Sequence, residues 1–145
     1  MKMKIAFMAT GILLLLLWSC KKDKTDPVNN SSNFAATMSG ASENPANSSV
    51  ATGSATGTYD SVSKVLTLTI SYSGITPTAG HIHKGAVGSN GPVTFPFSSV
   101  ASSPISFSTT LTAAQQTDLF ASLYYVNLHT AAFPGGEIRG QLLKQ

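Results

Sequence analysis

Strict alternation of apolar and small polar side chains in VLTLTISYSG (65–74) most restricts how this 145-residue chain can fold. The two leucines, Ile70 and Tyr72 fall on one face of an extended backbone, and valine, threonine and serine fall on the other. This two-residue period, combined with β-branched side chains, indicates a half-buried β-strand. The segment therefore predicts an antiparallel sheet with one face on a core and one face towards solvent.

Shorter segments of similar character predict further strands. Residues 51–60 are expected to form a hairpin with residues 65–74, because the turn-forming sequence DSVSK lies between them. One segment, 111–122, predicts a short helix instead, since Thr112 and Gln115 have the spacing of a capping box. The pattern predicts an all-β fold, an antiparallel immunoglobulin-like sandwich or barrel of about seven or eight strands with one short crossover helix. The other candidate strands are 34–38, 92–97, 104–110, 123–130 and 136–143.

The first twenty residues have the layout of an export signal. Two early lysines precede an apolar run of fourteen residues (5–18), which is shorter than the roughly 20 residues that a membrane-spanning helix needs. The run ends in LWSC (17–20), which resembles a bacterial lipobox, where cleavage precedes a cysteine that then carries lipid. We therefore expect a lipoprotein signal peptide over residues 1–19 and lipidation at Cys20. An ordinary signal peptide or an uncleaved N-terminal anchor is the alternative.

The segment after the signal is polar, contains Pro, Asn and Ser, and shows no apolar period, so residues 20–32 are expected to form a lipidated flexible tether. The remaining residues, 33–145, are expected to form one domain. This part carries four basic and four acidic side chains, so it has no electrostatic footprint for nucleic acid. These features predict a protein held on a membrane of the cell envelope, periplasmic or surface-exposed.

Two of the three histidines lie in GHIHKG (80–85). Residues two apart on a strand point to the same face, so the side chains of His81 and His83 are expected to project together. Imidazole nitrogen suits zinc and copper, and a His-x-His pair on a strand has a suitable geometry for either metal. Two ligands alone do not make a site, so further ligands must come from elsewhere in the chain.

The predicted hairpin near the C-terminus supplies candidates for these ligands. In YVNLHT (125–130), Asn127 and His129 share the face opposite to the apolar residues. A tight loop would bring His129 close to Glu137 on the following strand. The sequence thus predicts a zinc or copper site made by His81, His83, His129 and Glu137. The alternative is a structural polar network that fixes the loops, with Glu137 paired to a cation such as Arg139.

Features that would indicate an enzyme are scarce. The serines lack a nucleophile-elbow motif, and Cys20 lies outside the predicted domain. The chain also lacks a phosphate-binding glycine loop. A binding or structural role is therefore favoured over catalysis. In the last predicted strand, Gly140 indicates either a bulge or a close approach of another backbone segment.

Two longer segments together resemble the CHRD domain family, which is named after chordin. They are GHIHKGAVGSNGPVTFPF (80–97) and YVNLHTAAFPGGEIRGQ (125–141), and the resemblance extends over roughly residues 33–143. It implies an all-β, immunoglobulin-like or barrel-like module. The positions that match the family motif are His81, His83, Asn127, His129, Glu137 and Arg139.

The resemblance implies little about function. In chordin, such repeats occur in an extracellular antagonist that binds growth-factor ligands, so a protein or small ligand is an expected partner. The role of the domain in bacteria is undefined. The His-x-His pattern is also similar to the start of copper/zinc superoxide dismutases, which makes a metal-binding protein or metalloenzyme the alternative function. The chain lacks the disulfide cysteines and the additional histidines of those enzymes, which disfavours dismutase chemistry.

Overall fold

A computed structural model describes residues 29–145 of the chain. The predicted signal peptide, Cys20 and most of the predicted tether lie outside the described residues. The first strand begins at Ser31, so the last two residues assigned to the tether belong to the sheet. In residues 29–145, no helix combines the length and the apolar character needed to cross a membrane.

The predicted all-β antiparallel fold with one short helix is confirmed. The described residues contain nine strands rather than seven or eight, mainly because residues 136–143, predicted as one strand, contribute to two short strands, one paired with both β7 and β1 and the other with β1 alone. The elements are β1 (Ser31–Ser39), a 3₁₀ turn (Gly40–Ser42), β2 (Thr52–Asp60), β3 (Val65–Ser73), β4 (Ala79–Lys84), β5 (Val93–Pro96), β6 (Ile105–Thr110), α1 (Ala113–Phe120), β7 (Tyr124–His129), β8 (Ile138–Gln141) and β9 (Leu143–Lys144).

The strands form one curled sheet in the order β5-β4-β7-β8-β1-β2-β3-β6, and β9 pairs with β1. The predicted hairpin of β2 and β3 is present, and β7 pairs with β8 as expected. Aromatic side chains at the two edges of the sheet approach one another. The Phe107 ring of β6 lies 6.0 Å from that of Phe95 in β5 and 5.4 Å from that of Phe97, which follows β5. The sheet therefore has the shape of a half-barrel around its core.

Alternation along each strand explains how the core is filled. The side chains of Leu66, Leu68 and Ile70 are fully buried, as are Ile82 and Leu128 from the other half of the sheet. Burial of such side chains removes apolar surface from water and contributes about 1.5–3 kcal/mol each.

Helix α1 closes one end of the core through Leu119, which is fully buried, and Phe120, whose ring lies 5.5 Å from that of Phe34. Its predicted capping box is present: the Thr112 hydroxyl accepts a hydrogen bond from the Gln115 backbone, and the Gln115 side chain accepts one from the Thr112 backbone. The cap satisfies two N–H groups that would otherwise lack partners.

The opposite face of β4, β7 and β8 is polar, and it positions the candidate site. His81 pairs with Asn127 across β4 and β7, and Asn127 pairs with Arg139 across β7 and β8. Cross-strand partners lie side by side on the same face of a sheet. The side chains of Asn127 and Arg139 are buried, so this face is covered rather than open to solvent.

Candidate metal centre

The structure brings all three histidines together on this polar face. His81, His83 and His129 each offer one ring nitrogen, and these three nitrogens all lie within 4.8 Å of one another. The closest pair is His81 Nδ1 and His129 Nε2, at 3.2 Å. The group forms because the pairing of β4 with β7 places Ala79 opposite His129, one pleat from His81.

Two of the imidazole rings are oriented by backbone carbonyls. The Nδ1 atom of His83 donates to the carbonyl of Gly91 at 2.9 Å, and the Nδ1 atom of His129 donates to that of Pro134 at 3.0 Å. Because each Nδ1 carries the proton, each Nε2 keeps a lone pair. Such a bond on the far side of the ring is the usual outer-shell support of a metal-binding histidine.

Further contacts hold His83 in place. The ring stacks on Tyr125, with centroids 5.0 Å apart and an interplanar angle of 8°. The hydroxyl of Tyr125 accepts from the Gly91 backbone N–H at 3.1 Å, so the same tyrosine also holds the carbonyl-bearing turn. His83 Nε2 is buried and has no hydrogen-bond partner among the described residues. This nitrogen can therefore accept a hydrogen bond or bind an ion.

The surroundings of His81 and His83 lower the pKa of both rings and so favour their neutral form. Burial lowers the pKa of His81, and the neighbouring His129 and His83 lower it further. Burial also lowers the pKa of His83; the Gly91 carbonyl opposes this, and His129 and Arg139 add to it. Histidine must be unprotonated at one nitrogen to bind a metal, so these shifts favour the ligating form near neutral pH.

Glu137 does not belong to the histidine group, contrary to the four-residue set expected from the sequence. One carboxylate oxygen accepts a hydrogen bond from the hydroxyl of Ser49 at 2.7 Å, and the other accepts one from the hydroxyl of Thr130. Ser49 comes from the irregular segment between β1 and β2, whose course no periodic pattern could predict. The carboxylate therefore fixes that segment to the end of β7.

Arg139 joins two segments that cover the polar face, the 3₁₀ turn after β1 and the loop between β4 and β5. Its Nε donates to the Ser42 carbonyl at 2.6 Å, and its Nη1 donates to Asn90 Oδ1 at 2.9 Å. The guanidinium also lies 4.8 Å from the centre of the Tyr125 ring, a cation–π distance. The pairing of Arg139 with Glu137, which the alternative interpretation of the sequence included, is not observed, because the Glu137 oxygens have other partners.

Glu43 takes the place beside Arg139, and the sequence did not single it out. Its Oε2 lies 4.0 Å from Arg139 Nε, and burial raises its pKa to about 7 against the opposing effect of the arginine charge. A Cβ atom at Gly136 would lie 2.8 Å from Glu43 Oε1 and 2.6 Å from Asn127 Nδ2. The backbone φ of Gly136 is +129°, so both its conformation and the space around it require glycine. The adjacent glycines after Pro134 were the only sequence signal for this close contact.

The sequence that forms this site matches a known protein family. The model of the CHRD domain matches residues 34–142, which include every strand except the first three residues of β1 and the short β9. No curated protein and no solved structure matches the chain. The match covers most of the chain and contains all three histidines, Asn127, Glu137 and Arg139. The chain therefore belongs to the CHRD domain family.

Proposed function

We propose that this CHRD domain is a binding module whose ligand is one transition-metal ion, zinc or copper, held by His81, His83 and His129. Family membership supports a binding or structural module in general. The observation that carries the finer proposal is the convergence of three ring nitrogens within 4.8 Å, two of them on rings oriented by backbone carbonyls. The buried Nε2 of His83 has no hydrogen-bond partner among the described residues, so its lone pair is available to an ion.

The donor set selects the class of metal. Three imidazole nitrogens are ligands typical of zinc and copper, whereas magnesium and calcium prefer oxygen. Three protein ligands leave a fourth position for water or another group. His81 and His129 are only partly buried, so solvent can reach the group.

A metalloenzyme is less well supported than a binding role. Hydrolytic metal sites need a general base near the metal-bound water. Glu137 was the carboxylate expected at this place, but both of its oxygens accept hydrogen bonds from Ser49 and Thr130. The proposed role is therefore to bind the metal rather than to catalyse hydrolysis at it.

Thermal unfolding in the presence of different metals tests the proposal. We expect Zn²⁺ or Cu²⁺ at 100 times Kd to stabilise the metal-free protein by about 2.7 kcal/mol, because the ion binds only the folded state. Mg²⁺ at the same concentration is the control and should leave the melting temperature unchanged. The absence of a shift with both zinc and copper, or an equal shift with magnesium, would contradict the proposal.

We also propose that the module is anchored to a membrane of the cell envelope through lipid on Cys20. The short apolar run 5–18 and the sequence LWSC (17–20) support this, and several acyl chains together give stable attachment. Mass spectrometry of the membrane fraction should find an acylated N-terminus at Cys20, and Cys20→Ser should lack it. A mature form that starts at another residue and partitions into the soluble fraction would refute the anchor.

A further inference from the structure

The three histidines have different hydrogen-bond partners, and this difference bears on how a metal would enter. We infer that His83 and His129 already have the tautomer that binds a metal through Nε2, whereas His81 holds a proton on Nδ1 in the metal-free protein. His81 is therefore the closing ligand, the one that binds the metal last. The inference rests on the proposed function and adds to it the order and mode of ligation. It follows from the donors and acceptors around each ring.

Backbone carbonyls determine which ring nitrogen carries the proton in His83 and His129. A carbonyl oxygen only accepts hydrogen bonds, so the nitrogen that faces it must carry a proton. His83 Nδ1 faces the Gly91 carbonyl, and His129 Nδ1 faces the Pro134 carbonyl. A neutral imidazole has one N–H group, so both rings have their lone pair on Nε2.

The protonated nitrogen of His81 follows from that of His129. His81 Nδ1 lies 3.2 Å from His129 Nε2. Since His129 Nε2 holds a lone pair, a second lone pair at this distance would be repulsive, and His81 Nδ1 must donate the bond. In the metal-free protein the Nδ1 proton of His81 therefore occupies the place where the metal would bind.

Metal binding then requires a change in His81 that the other two rings do not undergo. Water removes the proton from Nδ1 and returns one to Nε2, so the neutral ring gains and loses one proton. The freed Nδ1 lone pair binds the ion, and the bond from His81 to His129 is replaced by two nitrogen–metal bonds. The partial exposure of His81 permits this exchange with solvent.

In contrast to His81, His83 and the turn that supports it are held in place by several contacts. The Gly91 N–H donates to the Tyr125 hydroxyl, and the Lys84 N–H donates to the Pro92 carbonyl at 3.0 Å. A Cβ atom at Gly91 would lie 1.7 Å from the Lys84 carbonyl oxygen, so the turn packs directly on β4. Release of the metal would therefore begin at His81, which can re-form its hydrogen bond to His129.

Long-range ¹H–¹⁵N NMR of the labelled full chain in detergent at pH 8 tests the inference, because it identifies the protonated nitrogen of each ring. In the metal-free protein we expect the proton on Nδ1 of all three histidines. After addition of one equivalent of Zn²⁺, we expect His81 alone to change to the Nε2-protonated form. A metal-free spectrum with His83 or His129 protonated on Nε2 would overturn the inference even if zinc binds. So would zinc binding that leaves His81 protonated on Nδ1.

The same spectra separate this inference from the proposed function. If the metal-free tautomers are as expected but the spectra do not change when Zn²⁺ or Cu⁺ is added, metal binding is overturned. The role of His81 as closing ligand is overturned with it. In His81→Asn, the protons of His83 and His129 should stay on Nδ1, because carbonyls hold them, while zinc affinity falls 10- to 100-fold. A shift of either proton in this variant would show that His81 sets the tautomers, which would contradict the assignment.

Discussion

The double variant His81→Ala/His83→Ala is expected to bind zinc or copper at least 100-fold more weakly than the wild type. Two of the three nitrogens that lie within 4.8 Å of one another are removed, and one remaining imidazole cannot hold the ion. Competition with a chromophoric chelator measures the affinity. The domain should stay folded, since loss of the His83 bond to the Gly91 carbonyl costs only about 1–3 kcal/mol.

Glu137→Gln is the matched control for that experiment. The four-ligand set expected from the sequence predicts that this variant binds the metal more weakly. The structure predicts an unchanged metal affinity, because the carboxylate contacts Ser49 and Thr130. Some stability should be lost, since a glutamine cannot accept both hydrogen bonds equally well. An affinity that falls as far in Glu137→Gln as in the double variant would contradict the placement of Glu137 outside the group.

Gly140→Ala is expected to destabilise the domain by about 3 kcal/mol or more. A Cβ atom at this position would lie 2.3 Å from the Thr37 carbonyl oxygen and 2.8 Å from the Thr37 carbonyl carbon. Both atoms belong to the backbone of β1, so relief of the clash requires β1 and β8 to separate in the middle of the sheet. Urea unfolding of the two proteins measures the difference.

Gly135→Ala is the control for this second prediction. A Cβ atom at Gly135 would meet no atom within 4 Å, so the change in the free energy of unfolding should stay within about 0.5 kcal/mol. Equal stability of Gly140→Ala and Gly135→Ala would show that β1 and β8 approach less closely than described.

Periodic patterns made the strands and the histidine pair predictable. Alternation fixes which side chains share a face, so residues 65–74 could be assigned a buried face, and His81 and His83 could be placed together, without knowledge of the partner strand. His129 was expected to join them, but the face it takes on β7 does not by itself determine its neighbours. Its approach depends on the pairing of β4 with β7, which no periodic pattern indicated. For Gly140 the sequence left a bulge and a close backbone approach open, and the structure shows the close approach.

The irregular segments could not be predicted in the same way. Ser42 and Arg139 are hydrogen-bonded although 97 residues separate them in the chain. The course of residues 40–51 depends on single hydrogen bonds such as that from Ser49 to Glu137, which leave no repeating pattern in the sequence. For this reason the sequence assigned Glu137 to the metal and overlooked Glu43 beside Arg139.

X-ray absorption spectroscopy of the zinc-loaded full chain tests the central claim most directly. The account predicts one zinc ion per chain with three imidazole nitrogens at about 2.0–2.1 Å and one further light ligand. The imidazole signal should disappear in His81→Ala/His83→Ala. A shell made only of oxygen atoms, or an imidazole signal unchanged in the double variant, would contradict it.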